Sequence, residues 1–254
     1  MSRDTFLSIL SYLHLADNEN NQGDPLHKIR PMIEINDAFA EVYSPDMNLS
    51  FDEAICPWKG RLTYRVHNPA KPNKFGIKLF QVCEASSGYC IGYHIYTGKT
   101  GGELDNYCEG LELNIDELPK TTKTVIGLLC KCILLNKGHR VYMDNYYSSP
   151  ELFNKLELLN TSACGTLRTN RVGVAEAMKV KRKLRQSECI FHRKDNLLLV
   201  KYHDKRDVNM ISSIHEAKVA VINKTPVMKP TCNVDYVKNM GGVDISDQFN
   251  QYNP

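Results

Sequence analysis

The chain has 254 residues, 42% of them apolar and 24% charged, with a net charge of +3 at pH 7. That supply of apolar side chains can fill one large domain or two small ones, and it argues against a disordered chain. The longest apolar run, Val125 to Leu135, is interrupted by Lys131 and is too short to cross a bilayer, while Met1-Ser2-Arg3-Asp4 lacks the pattern of a secretory leader, so no membrane partner is expected.

Phe6, Ile9, Leu10 and Leu13 recur at three-to-four-residue spacing and predict an amphipathic helix over residues 3 to 15. After a polar, Asn-rich break from Asp17 to Asp24, a second helix is expected to start near Pro31 and to stop before Pro45. At Met47 the period changes to two. Met47, Leu49 and Phe51 alternate with Asn48, Ser50 and Asp52, which places Asp52 on a strand face with small neighbours, Ser50 and Ala54. Gly76 to Glu84 and Tyr89 to Thr97 read as a hairpin around Ser86-Ser87-Gly88.

A helix is expected from Thr122 to Asn136, with Gly138 as its left-handed cap. His139 to Met143 is short and β-prone, and Ser148, Pro150 and Glu151 supply helix-start chemistry for a helix from Pro150 to Leu159. Asp144 then falls just past the carboxyl end of a strand, where ligands bind in open α/β sheets. Ser162 to Leu167 is a further strand candidate, and Cys189 to Tyr202 a hairpin turning at Lys194-Asp195-Asn196. A last helix begins at Gly241-Gly242 and puts Asp244 and Asp247 on one face.

Residues 168 to 206 hold twelve Lys and Arg against four acids, a local excess of eight positive charges. Such a stretch attracts a polyanion, because cations at phosphates release condensed counterions. A solvated basic face, or a nuclear-import signal at KVKRKLR, accounts for the same charges. The nine cysteines form no evenly spaced framework, and Cys130 and Cys132 are too close for usual zinc-ligand spacing. Buried free thiols in a reducing compartment are the expectation, with no zinc.

Asp52, Asp144, Asp244 and Asp247 each have a plain structural explanation: a cap or first-turn acid for the last two, an Asx turn for Asp144, an ion pair with a base such as Arg61 for Asp52. Gathered together, they would repel by several kcal/mol per close pair at an effective dielectric of ~20 unless cations neutralised them. Two Mg²⁺ or Mn²⁺ ions at a mutual spacing of roughly 3.5–4 Å would do so and would serve in-line displacement at a phosphate.

With these residues in hand, the chain resembles the catalytic region of the piggyBac family of transposases and their domesticated derivatives. LSFDEAICPWKGR is similar to the family's first-acid segment, KPNKFGIK at Lys71 to Lys78 to the stretch after it, and MDNYYSS to the second-acid segment. GTLRTNR, KYHDKRDVNMIS and MGGVDISDQF resemble the later strand and basic turn, the insertion hairpin and the closing acids. Phe75 and Tyr202 depart from it, standing where the family often has tryptophan.

The resemblance implies an α/β, RNase H-like mixed sheet flanked by helices and interrupted by an insertion domain before the last acid. It divides the chain into a leading helical segment (1–45), a first part of the core (46–167), a basic insertion (168–234) and a return to the core (235–254). The family's amino-terminal portion, the helices after the third acid and its cysteine-rich zinc module are not matched. Carried over by position, Asp52, Asp144 and Asp244 would be catalytic, and the same three with Asp247 would hold the metal. Lys71, Lys74, Lys78, Arg168, Arg171, Lys181, Arg182 and Lys183 are the expected contacts to the DNA backbone. The implied activity is nuclear cut-and-paste transposition on double-stranded transposon ends, joined at TTAA targets, by a possible homodimer. A domesticated protein that binds DNA or partners without catalysis is the alternative.

Overall fold

The computed structural model describes residues 1–69, 74–98, 104–179, 184–222 and 227–252. Its centre is a mixed sheet built from β1 (Asn48–Pro57), β2 (Arg65–His67), β3 (Phe75–Glu84), β4 (Cys90–Ile95), β5 (Arg140–Met143), β6 (Ser162–Thr166), β7 (Cys189–Lys194), β8 (Leu197–His203) and β9 (Asp207–Ser212). The order is β2-β3-β1-β5-β6-β9-β8-β7, with β4 also paired to β3. β1, β3 and β4 form an antiparallel meander, β5 and β6 follow parallel to β1, and β9, β8 and β7 extend the other edge antiparallel. The stretch after β6 thus lengthens the same sheet. It also contributes a one-turn helix, α5 (Glu176–Lys179), and a separate ribbon of β10 (Val219–Ile222) and β11 (Val227–Pro230).

Alternation along the strands sorts side chains to two faces. Leu49, Phe51, Val82, Val141, Met143 and Ala163 pack one face against α3 (Lys120–Lys131) and α4 (Pro150–Leu158) in the largest core cluster. Each large apolar side chain sealed there contributes about 1.5–3 kcal/mol. Phe51 and Tyr147 meet edge to face with ring centroids 4.9 Å apart. The opposite face carries Tyr142, Cys164, Val200 and Met210 against Cys232, Tyr236 and Met240, from α6 (Thr231–Asn239) and the residue after it. There α7 (Gly242–Tyr252) lays Val243 on Ala54 and Cys83.

Two glycines let α7 approach. A Cβ on Gly242 would lie 2.7 Å from the Glu84 carbonyl oxygen and 2.9 Å from Ser50 Cβ. In the β3–β4 turn, Gly88 has φ of +72° and would place a Cβ 2.5 Å from Ile245 Cγ2.

At the other margin, α2 (Arg30–Val42) covers the β4 edge. Asn36 Nδ2 donates to the Tyr93 carbonyl at 2.8 Å, and its Oδ1 accepts from Tyr93 N at 3.1 Å, pairing groups an exposed edge would leave open. By contrast, α1 (Arg3–Tyr12) buries none of its residues; Phe6, Ile9 and Leu10 remain more than half exposed.

Several boundaries differ from the sequence reading. The helix expected to reach Asn136 ends at Lys131, because Ile133 takes the left-handed conformation at φ of 53° and Leu134 N donates back to Leu129 O at 2.9 Å. That is the wrap of a Schellman ending with a β-branched residue in place of glycine, while Gly138 serves the turn beyond. The cap of α4 is Ser149, whose hydroxyl accepts from Leu152 N at 3.1 Å; Ser148 bonds instead to the Asp144 carbonyl. The helix α6 was not anticipated, although Cys232, Tyr236 and Met240 recur at four-residue spacing. No helix among the described residues is long and apolar enough to cross a membrane.

Candidate functional site

β1 and β5 run parallel with Ser50 opposite Tyr142 and Phe51 opposite Met143, so Asp52, midway along β1, and Asp144, just past the end of β5, are next in register on adjacent strands. Ser50 Oγ bonds to the Met240 carbonyl at 2.6 Å and Tyr142 Oη to Asp235 Oδ2 at 2.6 Å, so that face lies under α6 and the start of α7. Asp52 and Asp144 follow two residues later on the same face by strand alternation. Both carboxylates act on Tyr147 and Tyr236, whose phenols are pushed up first by burial and then by the neighbouring negative charges.

The turn after β5 is shaped by Asp144 itself. Tyr146 N donates to its Oδ1 at 2.8 Å, the Asx geometry, and Ser148 N and Oγ both donate to its carbonyl, at 3.1 and 2.8 Å. Burial raises the Asp144 carboxyl above the usual carboxylate range. The Tyr146 amide opposes that rise and the charge of Glu53 adds to it. Glu53, on the opposite face of β1, is itself pushed up by burial but held low on balance by Lys78, whose Nζ lies 2.9 Å from its Oε1. The same ammonium stands 4.8 Å from the centroid of Phe80 and 5.2 Å from that of Tyr146.

Asp244 and Asp247 lie on α7, over β1 and β3. Asp247 follows Val243 by one helical turn, and its charge reaches Cys56 and Cys83 on those two strands. Asp244 is exposed, a residue off that contact line. The structure thus brings Asp52 and Asp144 together and sets Asp247 on the covering helix. Among the described residues, no group of three or more His, Cys, Asp and Glu side chains stands close enough to hold an ion.

The donors of the strand pair nevertheless suit a divalent cation. Carboxylate oxygens are what Mg²⁺ and Mn²⁺ take, and a cation there would relieve the repulsion that helps raise Asp144. Gln81, opposite Asp52 on β3, is 3% exposed, and its Oε1 has no hydrogen-bond partner.

Of the basic residues, Arg168 donates through Nε to Asn145 Oδ1 at 2.8 Å, and its charge draws Asp144 back down. Arg171 donates to the carbonyls of Asn145 and Tyr146 and leaves its Nε buried without a partner. Both therefore grip the Asp144 turn. Lys78 is engaged by Glu53, and Lys74 is exposed where β3 starts, beside the end of β1. Lys71, Lys181, Arg182 and Lys183 lie outside the described residues.

Sequence reading missed Glu53, Gln81, Tyr147 and Tyr236. Glu53 and Gln81 emerge only from the β1–β3 register, and Tyr236 from the unread helix.

The order β4-β3-β1-β5-β6, with one acid on the central strand and another at the end of its parallel neighbour, defines an RNase H-like catalytic domain of the transposase kind. A family model described as Transposase IS4 matches residues 1–254, and the chain belongs to that family, within its piggyBac group. It is 26% identical over 264 residues to human PiggyBac transposable element-derived protein 3, covering 98% of this chain and 42% of that protein. Human PiggyBac transposable element-derived protein 2 is likewise 26% identical, over 97% of this chain and 42% of its own length. The chain spans less than half the length of these relatives. Among solved structures, the cryo-EM structure of a piggyBac transposase synaptic complex with hairpin DNA matches with a TM-score of 0.81 and 26% identity, over 98% of this chain and half of that one.

Proposed function

We propose that the protein is the catalytic core of a DNA transposase that cleaves and rejoins strands with Mg²⁺ or Mn²⁺. The observation that carries this reading is the parallel register that sets Asp52 and Asp144 side by side. Asp52 and Asp144 would hold the ions from the sheet while Asp247, with Asp244, approaches from α7. When bound, such ions lower the pKa of an attacking water or 3′-hydroxyl and stabilise the leaving oxygen. Lys74 offers charge to the phosphate backbone at the rim, and Arg168 and Arg171 hold the turn that carries Asp144. The likeness to a complex described as synaptic and hairpin-bound supports double-stranded transposon ends as substrate and a homodimer as the acting form. TTAA targets and action in the nucleus complete the proposal.

The test is nicking of a TTAA-flanked duplex by the whole chain with MnCl₂. Activity that Asp144→Asn abolishes supports the reading, and equal activity in that variant ends it. The exposed Asp244 favours a second reading, DNA binding without turnover. Salt-sensitive binding of hairpin DNA with no Mn²⁺-dependent cleavage would establish that alternative.

A further inference from the structure

Asp235, on α6, gathers donors from three places. Tyr142 Oη on β5 lies 2.6 Å from its Oδ2, His215 Nε2 lies 3.1 Å from the same oxygen, and Asn239 Nδ2 lies 2.9 Å from Oδ1. The chain of contacts continues on both sides. His215 Nδ1 meets Ser212 Oγ at 2.8 Å, and Asn48 Nδ2, at the start of β1, donates to Asn239 Oδ1 at 3.2 Å.

Ser212, His215 and Asp235 share the residue types of a nucleophilic triad, but the geometry excludes that role. Ser212 is fully buried, and its Oγ accepts from Ile214 N and His215 N at 3.0 and 3.3 Å. A carboxylate only accepts, so His215 Nε2–H donates to Asp235, and in the neutral ring that burial favours Nδ1 is left to accept from the Ser212 hydroxyl. The network is thus closed on itself, with no hydroxyl offered to a substrate.

Its position is more telling than its composition. Tyr142 lies two residues before Asp144, and Ser50, paired with Tyr142 in register, lies two residues before Asp52. Ser50 is tied to the Met240 carbonyl at 2.6 Å, one residue beyond Asn239 and just ahead of α7. The ties from α6 and the residue after it to the two acid-bearing strands thus land one strand repeat upstream of an acid at Tyr142 and Ser50, and two repeats upstream at Asn48. Apolar contacts at Cys232 and Tyr236 would allow α6 to slide, whereas a carboxylate receiving directed hydrogen bonds from Tyr142 on β5 and from His215 after β9 sets its height.

We propose that Asp235 is a positioning residue of the acid site: by locking α6 to β5 through Tyr142 and to the turn after β9 through His215, it sets where α7 presents Asp244 and Asp247 over the Asp52–Asp144 pair. This rests on the ion-holding role proposed above. Outer-shell partners of this kind typically change metal affinity by about 10–100-fold when removed.

The experiment is calorimetric titration of MnCl₂ into the 254-residue protein and its Tyr142→Phe, Asp235→Ala and Asn36→Ala variants, each with a thermal melt. Tyr142→Phe removes one hydroxyl while keeping the buried ring, so it carries the test if Asp235→Ala does not fold. Asn36→Ala removes a comparably buried side chain that bonds to Tyr93 on the far margin. Mn²⁺ affinity should fall about tenfold or more in the first two variants and stay within about twofold in Asn36→Ala, even where melting temperatures fall alike. Wild-type affinity in folded Tyr142→Phe and Asp235→Ala, or an equal loss in Asn36→Ala, would overturn the positioning role. Absence of Mn²⁺ binding in the unmutated protein would instead overturn the ion-holding reading, and the positioning role with it.

Discussion

Asp52 and Asp144 belong to neighbouring parallel strands whose backbone ladder fixes their spacing, whereas Asp244 and Asp247 ride on a helix seated by a few close contacts. A ladder bond between central strands can slip only by turning every side chain to the wrong face, which the buried cluster around Phe51 and Met143 forbids. A helix on a sheet has no such register. Its height depends on Gly242 against Glu84 and Ser50, on Val243, and on the polar ties through Ser50 and Asp235. The difference teaches that half of the acid set is fixed by topology and half by packing, and that the packed half is the easier one to move.

The most severe way to probe the fixed half is Asp144→Asn. Nicking should fall by about 10²–10³ or more if that carboxylate holds an ion in the transition state. The same change should stabilise the protein in EDTA. Burial raises the folded-state value of Asp144 above its ordinary 3.8, so the folded chain holds that proton more tightly than the unfolded chain does. Stability is therefore lost as pH rises from the ordinary value through the folded one, and it stays reduced at neutral pH. Asparagine removes that penalty, and the melting temperature should rise by about 2–4 °C for each kcal/mol released. An unchanged or lower melting point would show that the turn needs the charge.

The packed half is broken by Gly242→Ala. The new methyl meets the Glu84 carbonyl and Ser50, and the overpacking should cost about 1–3 kcal/mol by thermal or urea unfolding. A cost near zero would mean that α7 has room to shift, which sharpens the contrast further.

Lys78→Ala probes the ammonium that joins Glu53 to the aromatic pair Phe80 and Tyr146. It strands Glu53, and because both side chains keep some exposure the loss at pH 7 should be about 1–2 kcal/mol, below that for a fully buried pair. Lys78 holds Glu53 below its ordinary 4.5, so the pair contributes stability above that value and loses it as pH falls through the folded one. The gap between variant and wild type should close in acid. A gap that persists at low pH would assign the loss to packing on Phe80.

The smallest effect belongs to Leu10→Ser. Since α1 buries nothing, unfolding should shift by no more than about 0.5 kcal/mol. A larger loss would mean that α1 packs in solution.

The sequence was most legible where one periodicity ran unbroken. The alternation around Phe51 placed β1 and the face of Asp52, and Ser86-Ser87-Gly88 placed the hairpin turn. It was least legible where local rules and tertiary packing disagreed. Gly138 drew the predicted end of α3 beyond Ile133, a residue that takes the left-handed conformation only because the next turn, with Leu134 buried, holds it there. The run Thr231 to Asn239 hid α6 because its apolar stripe is thin and Val237 points to solvent. Glu53 looked like a neighbour of the interesting residue, and only the cross-strand pairing with β3 revealed its partner Lys78.

The bond from Ser50 to Met240 joins positions 190 residues apart. During synthesis the strands around β1 and β5 can assemble long before the ribosome has made the helices that roof them. Until that late docking, the face of Asp52 and Asp144 stays uncovered, and so distant a contact adds to the contact order that slows folding. An interruption in translation shortly before α6 would thus release a sheet that carries Asp52 and Asp144 without the helices that roof their face.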